Sequence, residues 1–90
     1  MLIEFDSAKR EKTLLDRGLD FADAPKIFAG RHFTLADERV DYGEERFVSV
    51  GRLADRVVVL TWTPRGEVRR IISMRYANER EKVRYTRYLD

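Results

Sequence analysis

The spacing of apolar residues along this chain changes period once. The change separates a helical part from a strand part. Leu2–Phe5 predicts a short opening strand. Ala8, Thr13, Leu14 and Leu15 then follow a helical period, with Asp6 as the N-cap and Gly18 as the residue that ends the helix. Asp20 reads as a second cap. Phe21, Ala24, Ile27 and Phe28 come after it at helical spacing, and Gly30 closes that helix. Pro25 falls beyond the first turn of a helix started at Asp20, where proline fits poorly. From His32 onward the period is two. Strands are predicted at His32–Ala36 and at residues 45–53, 56–63 and 67–77. Residues 37–44 form a polar loop containing Gly43, and tight turns fall at 54–55 and at 64–66, the latter a Pro-X-Gly turn. Asn78 with Glu81 three residues later makes a capping-box start to a last helix through Leu89.

This order implies an α+β fold. An N-terminal helical hairpin packs on an antiparallel β-sheet meander, followed by a C-terminal helix, with the helices covering one sheet face. Alternation assigns the faces. Val48, Val50, Val58, Leu60, Trp62, Ile72 and Met74 share the helix-covered face, and Arg46 has the same parity at its strand's start. Phe47, Ser49, Val57, Val59, Thr61, Arg69, Ile71, Ser73 and Arg75 make the other face. That mixed face is the candidate binding surface, with Ser73 and Arg75 as its polar centre.

Length and composition narrow the picture. Ninety residues are one domain's worth, residues 1–90, with no repeat, linker or low-complexity segment. No cysteine is present, which excludes a disulfide framework and a thiolate nucleophile and fits a cytoplasmic protein. The opening MLIEFDSAKR lacks the apolar core of a signal peptide, and the longest apolar run, residues 57–60, is strand-sized, so no membrane association is expected. The net charge of +2 hides a polarised chain. Residues 65–90 carry eight Lys and Arg against four Asp and Glu; residues 1–64 carry ten against twelve.

One histidine and no cysteine leave only scattered carboxylates for a metal, and no cofactor is implied. A Ser-His-Asp triad would need His32, which lies in no motif. Gly51 and Gly66 are isolated, so no Gly-rich phosphate loop exists. Glu44 and Glu45 are adjacent and would point to opposite strand faces. The arginines are the distinctive chemistry. Arg46, Arg65, Arg70, Arg75 and Arg80 come from different elements, and antiparallel pairing brings several together. The guanidinium fork suits phosphate and carboxylate alike. One reading is therefore RNA phosphate binding with stabilisation of a phosphoryl-transfer transition state, which needs no histidine. The commoner outcome for such charge runs is a solvated face with ion pairs. The last helix is mainly polar, with Val83, Tyr85, Tyr88 and Leu89 as its apolar residues. It reads equally as a pinned surface helix, a partner-docking element or an RNA-flanking helix.

Several stretches together resemble one family. The opening Ile3-Glu4-Phe5-Asp6-Ser7-Ala8-Lys9, the segment from Gly18 to Ala24 with Phe28, and the Asp-x-Arg-x-Asp-x-Gly-Glu-x-Arg run from Asp37 to Arg46 all fit it. So do Gly51-Arg52, Thr63-Pro64-Arg65-Gly66, the run from Arg70 to Ala77, and Glu81 with Tyr85. The chain is similar, over nearly its whole length, to the BrnT family of toxins from bacterial type II toxin–antitoxin pairs. The resemblance implies a RelE-like fold and a metal-independent endoribonuclease that arrests growth. It implies a cognate BrnA-like antitoxin with a ribbon-helix-helix DNA-binding region, RNA as substrate, operator DNA reached only through the antitoxin, and a heterotetrameric complex that represses its own operon. Carried over by position, Arg46, Arg70 and Arg75 are the expected catalytic residues, and Lys9, Arg65 and Arg80 the expected RNA-binding residues. Two positions depart from the family pattern. Asp16-Arg17 stands where the family has a Lys-His pair, and Phe5 stands where it has tryptophan. Arginine cannot shuttle protons near neutral pH. The rival reading is a non-catalytic RNA- or protein-binding module, an inactive homologue of these toxins.

Overall fold

The computed structural model describes every residue, Met1–Asp90. Its elements are β1 (Leu2–Phe5), α1 (Ser7–Arg17), a 3-10 turn (Phe21–Asp23), α2 (Ala24–Ala29), β2 (His32–Ala36), β3 (Phe47–Leu53), β4 (Arg56–Arg65), β5 (Val68–Tyr76) and α3 (Glu79–Leu89). The strands form one sheet in the order β1-β5-β4-β3-β2. Strands β2 to β5 make the expected antiparallel meander, whereas β1 joins β5 in parallel. The fold is α+β with a five-stranded, mostly antiparallel sheet.

The predicted helix ends are built from the predicted residues. Asp6 Oδ1 accepts from the Lys9 N–H at 3.0 Å, and Gly18, at φ 70°, donates its N–H to the Leu14 carbonyl. At α3 the capping box is closed both ways: Asn78 Oδ1 accepts from the Glu81 N–H (2.9 Å) and Glu81 Oε1 from the Asn78 N–H (3.0 Å).

The N-terminal helical pair differs from a simple hairpin. Asp20 caps a separate 3-10 turn through the Ala22 N–H, and α2 restarts at Ala24. That restart places Pro25 in a first turn, where its missing N–H leaves no bond unmade. No residue of α1 is buried, and Leu14 and Leu15 are exposed. Polar contacts hold this helix instead: Arg10 grips Asp20 with two bonds (2.7 and 2.9 Å), and Arg17 Nη1 donates to the Met74 carbonyl at 2.8 Å. β1 pairs with β5 only over Val68–Ile71, and α1 lies along the edge of β5 beyond that point.

Helices cover both sheet faces, not one. On the first, Leu19, Phe21, Ala24, Ile27 and Phe28 pack on Val58, Leu60, Trp62, Ile71 and Met74. On the second, Leu89 and Tyr85 of α3 pack on Val50, Val57, Val59, Phe33 and Val48. Val48, Val50 and Arg46 therefore lie on the face opposite to the one their parity suggested, while Phe47 and Ser49 turn to the first. The cause is the β3–β4 turn. Ala54 and Asp55, at φ 50° and 66°, form a two-residue loop that sets Leu53 against Arg56. Facing positions then sum to an odd number, so even residues of β3 share a face with odd residues of β4. The same inversion follows the turn at Gly66 (φ 62°), where Arg65 faces Val68. There it is undone by a bulge: Trp62 faces Ile71 but Thr61 faces Ser73, which leaves Ile72 as the extra residue.

Candidate functional site

The bulge at Ile72 decides which arginines meet. On its N-terminal side, Ile71 enters the first core and Arg69 lies over the rings of Phe28 and Trp62, its guanidinium 4.4 and 4.5 Å from their centroids. Both had been expected on the second face. Arg70 thus turns to the second face, and beyond the bulge so do Ser73 and Arg75. The pairing builds rows across that face. Arg75 stands beside Val59, and Ser73 beside Thr61 and Val48. Glu4, Arg70 and Thr63 form the next row, which Arg46 and Asp37 continue, Asp37 N–H donating to the Arg46 carbonyl at 2.8 Å. Arg65 has the same parity on β4 as Thr63. Arg46, Arg65, Arg70 and Arg75 accordingly share one face.

Each of these four has a carboxylate beside it. Arg75 makes a two-pronged pair with Glu81, Nη1 to Oε1 at 2.6 Å and Nη2 to Oε2 at 2.9 Å. The Arg75 guanidinium holds the Glu81 carboxyl at about 2, well below its ordinary value, against an opposing push from burial, and Glu81 in turn raises Arg75. Arg70 lies 3.5 Å from Glu4. Glu44 is shared, 3.4 Å from Arg65 and 3.6 Å from Arg46. Arg46 is the odd member of the set. Its guanidinium stacks on Tyr42 at 3.8 Å, and its Nε–H is buried with no hydrogen-bond acceptor. A buried donor left unmade costs about 1–3 kcal/mol, and the nearest carboxylate oxygen, Glu44 Oε2 at 3.6 Å, is too far to meet it.

Around Arg75 the face hollows into a cavity of about 390 Å³, with Ser73, Thr61, Arg39, Glu38, Glu81 and Tyr85 on its wall. Arg39 reaches it from the β2–β3 loop. It is fixed by two bonds to Asp37 (2.8 and 3.0 Å), and its guanidinium keeps the buried Asp37 carboxyl below the usual range. Glu81 has both oxygens engaged, so Glu38 is the free carboxylate of the wall. The cavity thus presents cations, hydroxyls and one unengaged carboxylate, a set that can grip phosphate and accept a proton.

Two predicted residues lie off this face. Arg80 sits on the outer side of α3 with Glu79, Val83 and Arg84, without a carboxylate partner. Lys9 is on α1, lining a groove of about 240 Å³ with Lys12, Thr13, Arg17, Ile72 and Ser73. The groove adjoins the arginine face: Ser73 lines both hollows, and Arg70 and Lys9 both act on the Asp6 carboxyl, which is lowered chiefly by the Lys9 N–H bond. Thr61 lies on the candidate surface that alternation assigns, whereas no sequence signal marks Arg39 or Glu38 as part of it. Asp37-x-Arg39 belonged to a recognised run, but only the folded loop shows Arg39 turned toward Arg75. His32 lies on the first face, its ring bonded through Nδ1 to the Gly30 carbonyl (2.9 Å) and edge-on to Phe28, on the other side of the sheet from Arg75.

Comparison with known proteins identifies the chain by family. It belongs to the BrnT family, ribonuclease toxins of type II toxin–antitoxin systems, whose family model matches residues 5–81 of its 90. The match spans every predicted site residue. No curated protein matches the chain. No helix is long and apolar enough to cross a membrane.

Proposed function

We propose that this BrnT-family chain is a metal-independent endoribonuclease whose active surface is the second sheet face, centred on Arg75. Residues 1–90 form a single toxin domain with a RelE-like arrangement of sheet and helices. The observation that carries this reading is the convergence of Arg46, Arg65, Arg70 and Arg75 on one face beside a hydroxyl-lined cavity. An RNA strand laid across the rows meets successive guanidinium groups, and the phosphates exchange places with Glu4 and Glu44, which hold the arginines in the free chain at 3.4 Å or more.

Arg46, Arg70 and Arg75 are the catalytic set. Arg65 and Lys9 bind the strand on either side, and Arg80 takes a phosphate further along α3. At the scissile position the 2′-oxygen attacks the neighbouring phosphorus to form a 2′,3′-cyclic phosphate, and the 5′-oxygen leaves as a hydroxyl, taking its proton from water. Arg75, held rigid by Glu81, offers N–H groups to the phosphoryl oxygens where negative charge builds up, which is where a fixed donor contributes most. The proton of the 2′-hydroxyl passes to a carboxylate or to water, and Glu38 is placed to take it. Arg17 is a brace: its bond to the Met74 carbonyl fixes β5 between Ser73 and Arg75.

In the cell the chain works in the cytoplasm, arrests growth by cutting RNA, and is held inactive by a BrnA-like ribbon-helix-helix antitoxin. The two form a heterotetramer that represses its own operon. The pairing of every face arginine with a carboxylate favours one rival, a non-catalytic binding module. Growth after induced expression separates them. Wild type alone arrests growth, co-expression with the neighbouring gene relieves the arrest, and folded Arg75→Ala grows normally. A soluble, folded wild type that neither arrests growth nor cuts RNA would establish the binding module instead.

A further inference from the structure

We infer that the groove between β2 and α3 is where the antitoxin docks, and that it receives an extended segment with alternating apolar and acidic side chains, added along β2 as a sixth strand. The inference rests on the toxin reading above.

β2 is an edge of the sheet. The Asp37 N–H bonds the Arg46 carbonyl, so 37, 35 and 33 make the hydrogen-bonded pairs with β3. The N–H and C=O groups of Thr34 and Ala36 then point away from the sheet. Edge strands are ordinarily blunted by lysine, proline or a covering element. β2, His32-Phe33-Thr34-Leu35-Ala36, carries neither lysine nor proline, and Leu35 is 54% exposed. A row of free main-chain groups is the template for β-augmentation.

Side chains beside that edge say what the added strand carries. A hollow of about 610 Å³ runs between β2 and α3. Phe33 forms its floor, with the Tyr85 and Tyr88 rings 5.4 and 5.5 Å away, and Tyr88 is 55% exposed. Arg84 and Arg87 flank it, stacked over Tyr85 and Tyr88 at 5.8 and 5.2 Å. Neither has a carboxylate partner in the chain, unlike the arginines of the catalytic face. An apolar floor between two unpaired cations matches a strand with apolar residues on one side and acidic residues at the rim. A second copy of the chain fits badly, since β2–β2 pairing would set the same cations against each other. Leu35 lines both this hollow and the Arg75 cavity, so a segment running past Ala36 arrives at Arg39 and Arg75, where an acidic residue competes with phosphate.

The test uses the full chain and its complex with the protein from the neighbouring gene. Amide exchange is compared free and bound, and binding is measured for the wild type and for Arg84→Glu combined with Arg87→Gln, with folding checked by circular dichroism. The expected result is about tenfold or greater slowing at Thr34, Ala36 and residues 85–89 in the complex. About 100-fold weaker antitoxin binding is expected for the variant, with RNA cleavage unchanged. A wild-type complex protected elsewhere, with the variant binding equally well, overturns the inference and leaves the toxin reading standing. So does a variant that keeps the antitoxin but loses RNA, which would make the groove a nucleotide-stacking surface. Protection that grows with concentration of the free chain alone would assign the edge to self-association. A folded wild type that the neighbouring protein does not bind removes the toxin reading itself, and this inference with it.

Discussion

Arg75 and Glu81 hold each other through two parallel bonds, 2.6 and 2.9 Å, and so fasten the end of β5 to the first turn of α3. Glu81 serves two purposes with one carboxylate, because Oε1 also accepts the Asn78 N–H that starts the helix. The position of α3 and the aim of Arg75 are therefore one variable. A partner that shifts α3 shifts the central cation of the cavity.

Arg75→Ala should lower RNA cleavage by about 100-fold or more, as removal of one preorganised donor does elsewhere. The half-exposed pair contributes little to folding, so Tm should fall by only about 4–8 °C, equivalent to about 1 kcal/mol. Cleavage of a short RNA by the purified variant, beside a thermal melt, checks both. A variant as active as wild type would remove Arg75 from the catalytic set.

Acid should undo the same pair in a defined window. The folded Glu81 carboxyl titrates at about 2 against an ordinary 4.5. A depressed carboxyl contributes its stability above the unfolded value, so the contribution is complete above pH 4.5 and is lost as pH falls toward 2. Glu81→Gln should flatten the acid limb of the stability curve by about 1 kcal/mol, discounted for exposure. Carboxyl-carbon NMR of the wild type should show Glu81 still ionised at pH 3.5, and a midpoint near 4.5 would contradict the pairing.

Arg17→Ala should leave the Met74 carbonyl without its donor and detach the C-terminal end of α1 from β5. Loss of about 1–2 kcal/mol is expected, visible as a lower urea midpoint. kcat/KM should drop modestly, by about tenfold or less, because Arg17 acts on the strand and not on the reacting atoms. A drop of several hundredfold in kcat with unchanged stability would instead make Arg17 a catalytic group.

Gly51→Ala should destabilise by about 1–3 kcal/mol through overpacking. A Cβ there would lie 2.7 Å from Ile27 Cγ2 and 3.2 Å from His32 Cβ, where α2 presses on β3. Equilibrium unfolding measures it directly, and Gly30→Ala, whose Cβ would meet nothing closer than 3.8 Å, should show no such effect.

RNA affinity should fall with salt. Six phosphate contacts on a single strand, from Lys9, Arg46, Arg65, Arg70, Arg75 and Arg80, give a log–log slope of about −4, and removing Arg65 or Arg70 should reduce its magnitude by about 0.7. A slope near zero would mean that the arginines remain paired with Glu4 and Glu44 when RNA is present.

Much of this molecule was legible before any coordinates. The change from helical to alternating period placed the five strands, α1 and α3 to within a few residues, because period is set by local backbone geometry, but it ran the 3-10 turn and α2 together as one helix. Asp6, Gly18, Asp20, Asn78 and Glu81 marked the helix ends through bonds made within their own turns. The arginine content and the family pattern pointed to the function class. The faces were legible along β4 and at the end of β5, where Val58, Leu60, Trp62 and Met74 share one side and Val57, Val59, Thr61, Ser73 and Arg75 the other. They were not legible elsewhere, and Arg46, Arg69, Ile71, Val48 and Val50 show why. A strand's side chains repeat every two residues, so a one-residue offset turns a whole stretch over. That offset was set by a two-residue turn at Ala54 and Asp55 and by a bulge at Ile72, opposite the Thr61–Trp62 step of the neighbouring strand. Partner choice was hidden for the same reason. Glu81 with Arg75, Arg39 beside the cavity and Arg17 on the Met74 carbonyl join elements far apart in the chain or cross its loops. The sequence by itself determined which elements form and which charges are available; only the assembled sheet decided which side each charge faces and what it meets there.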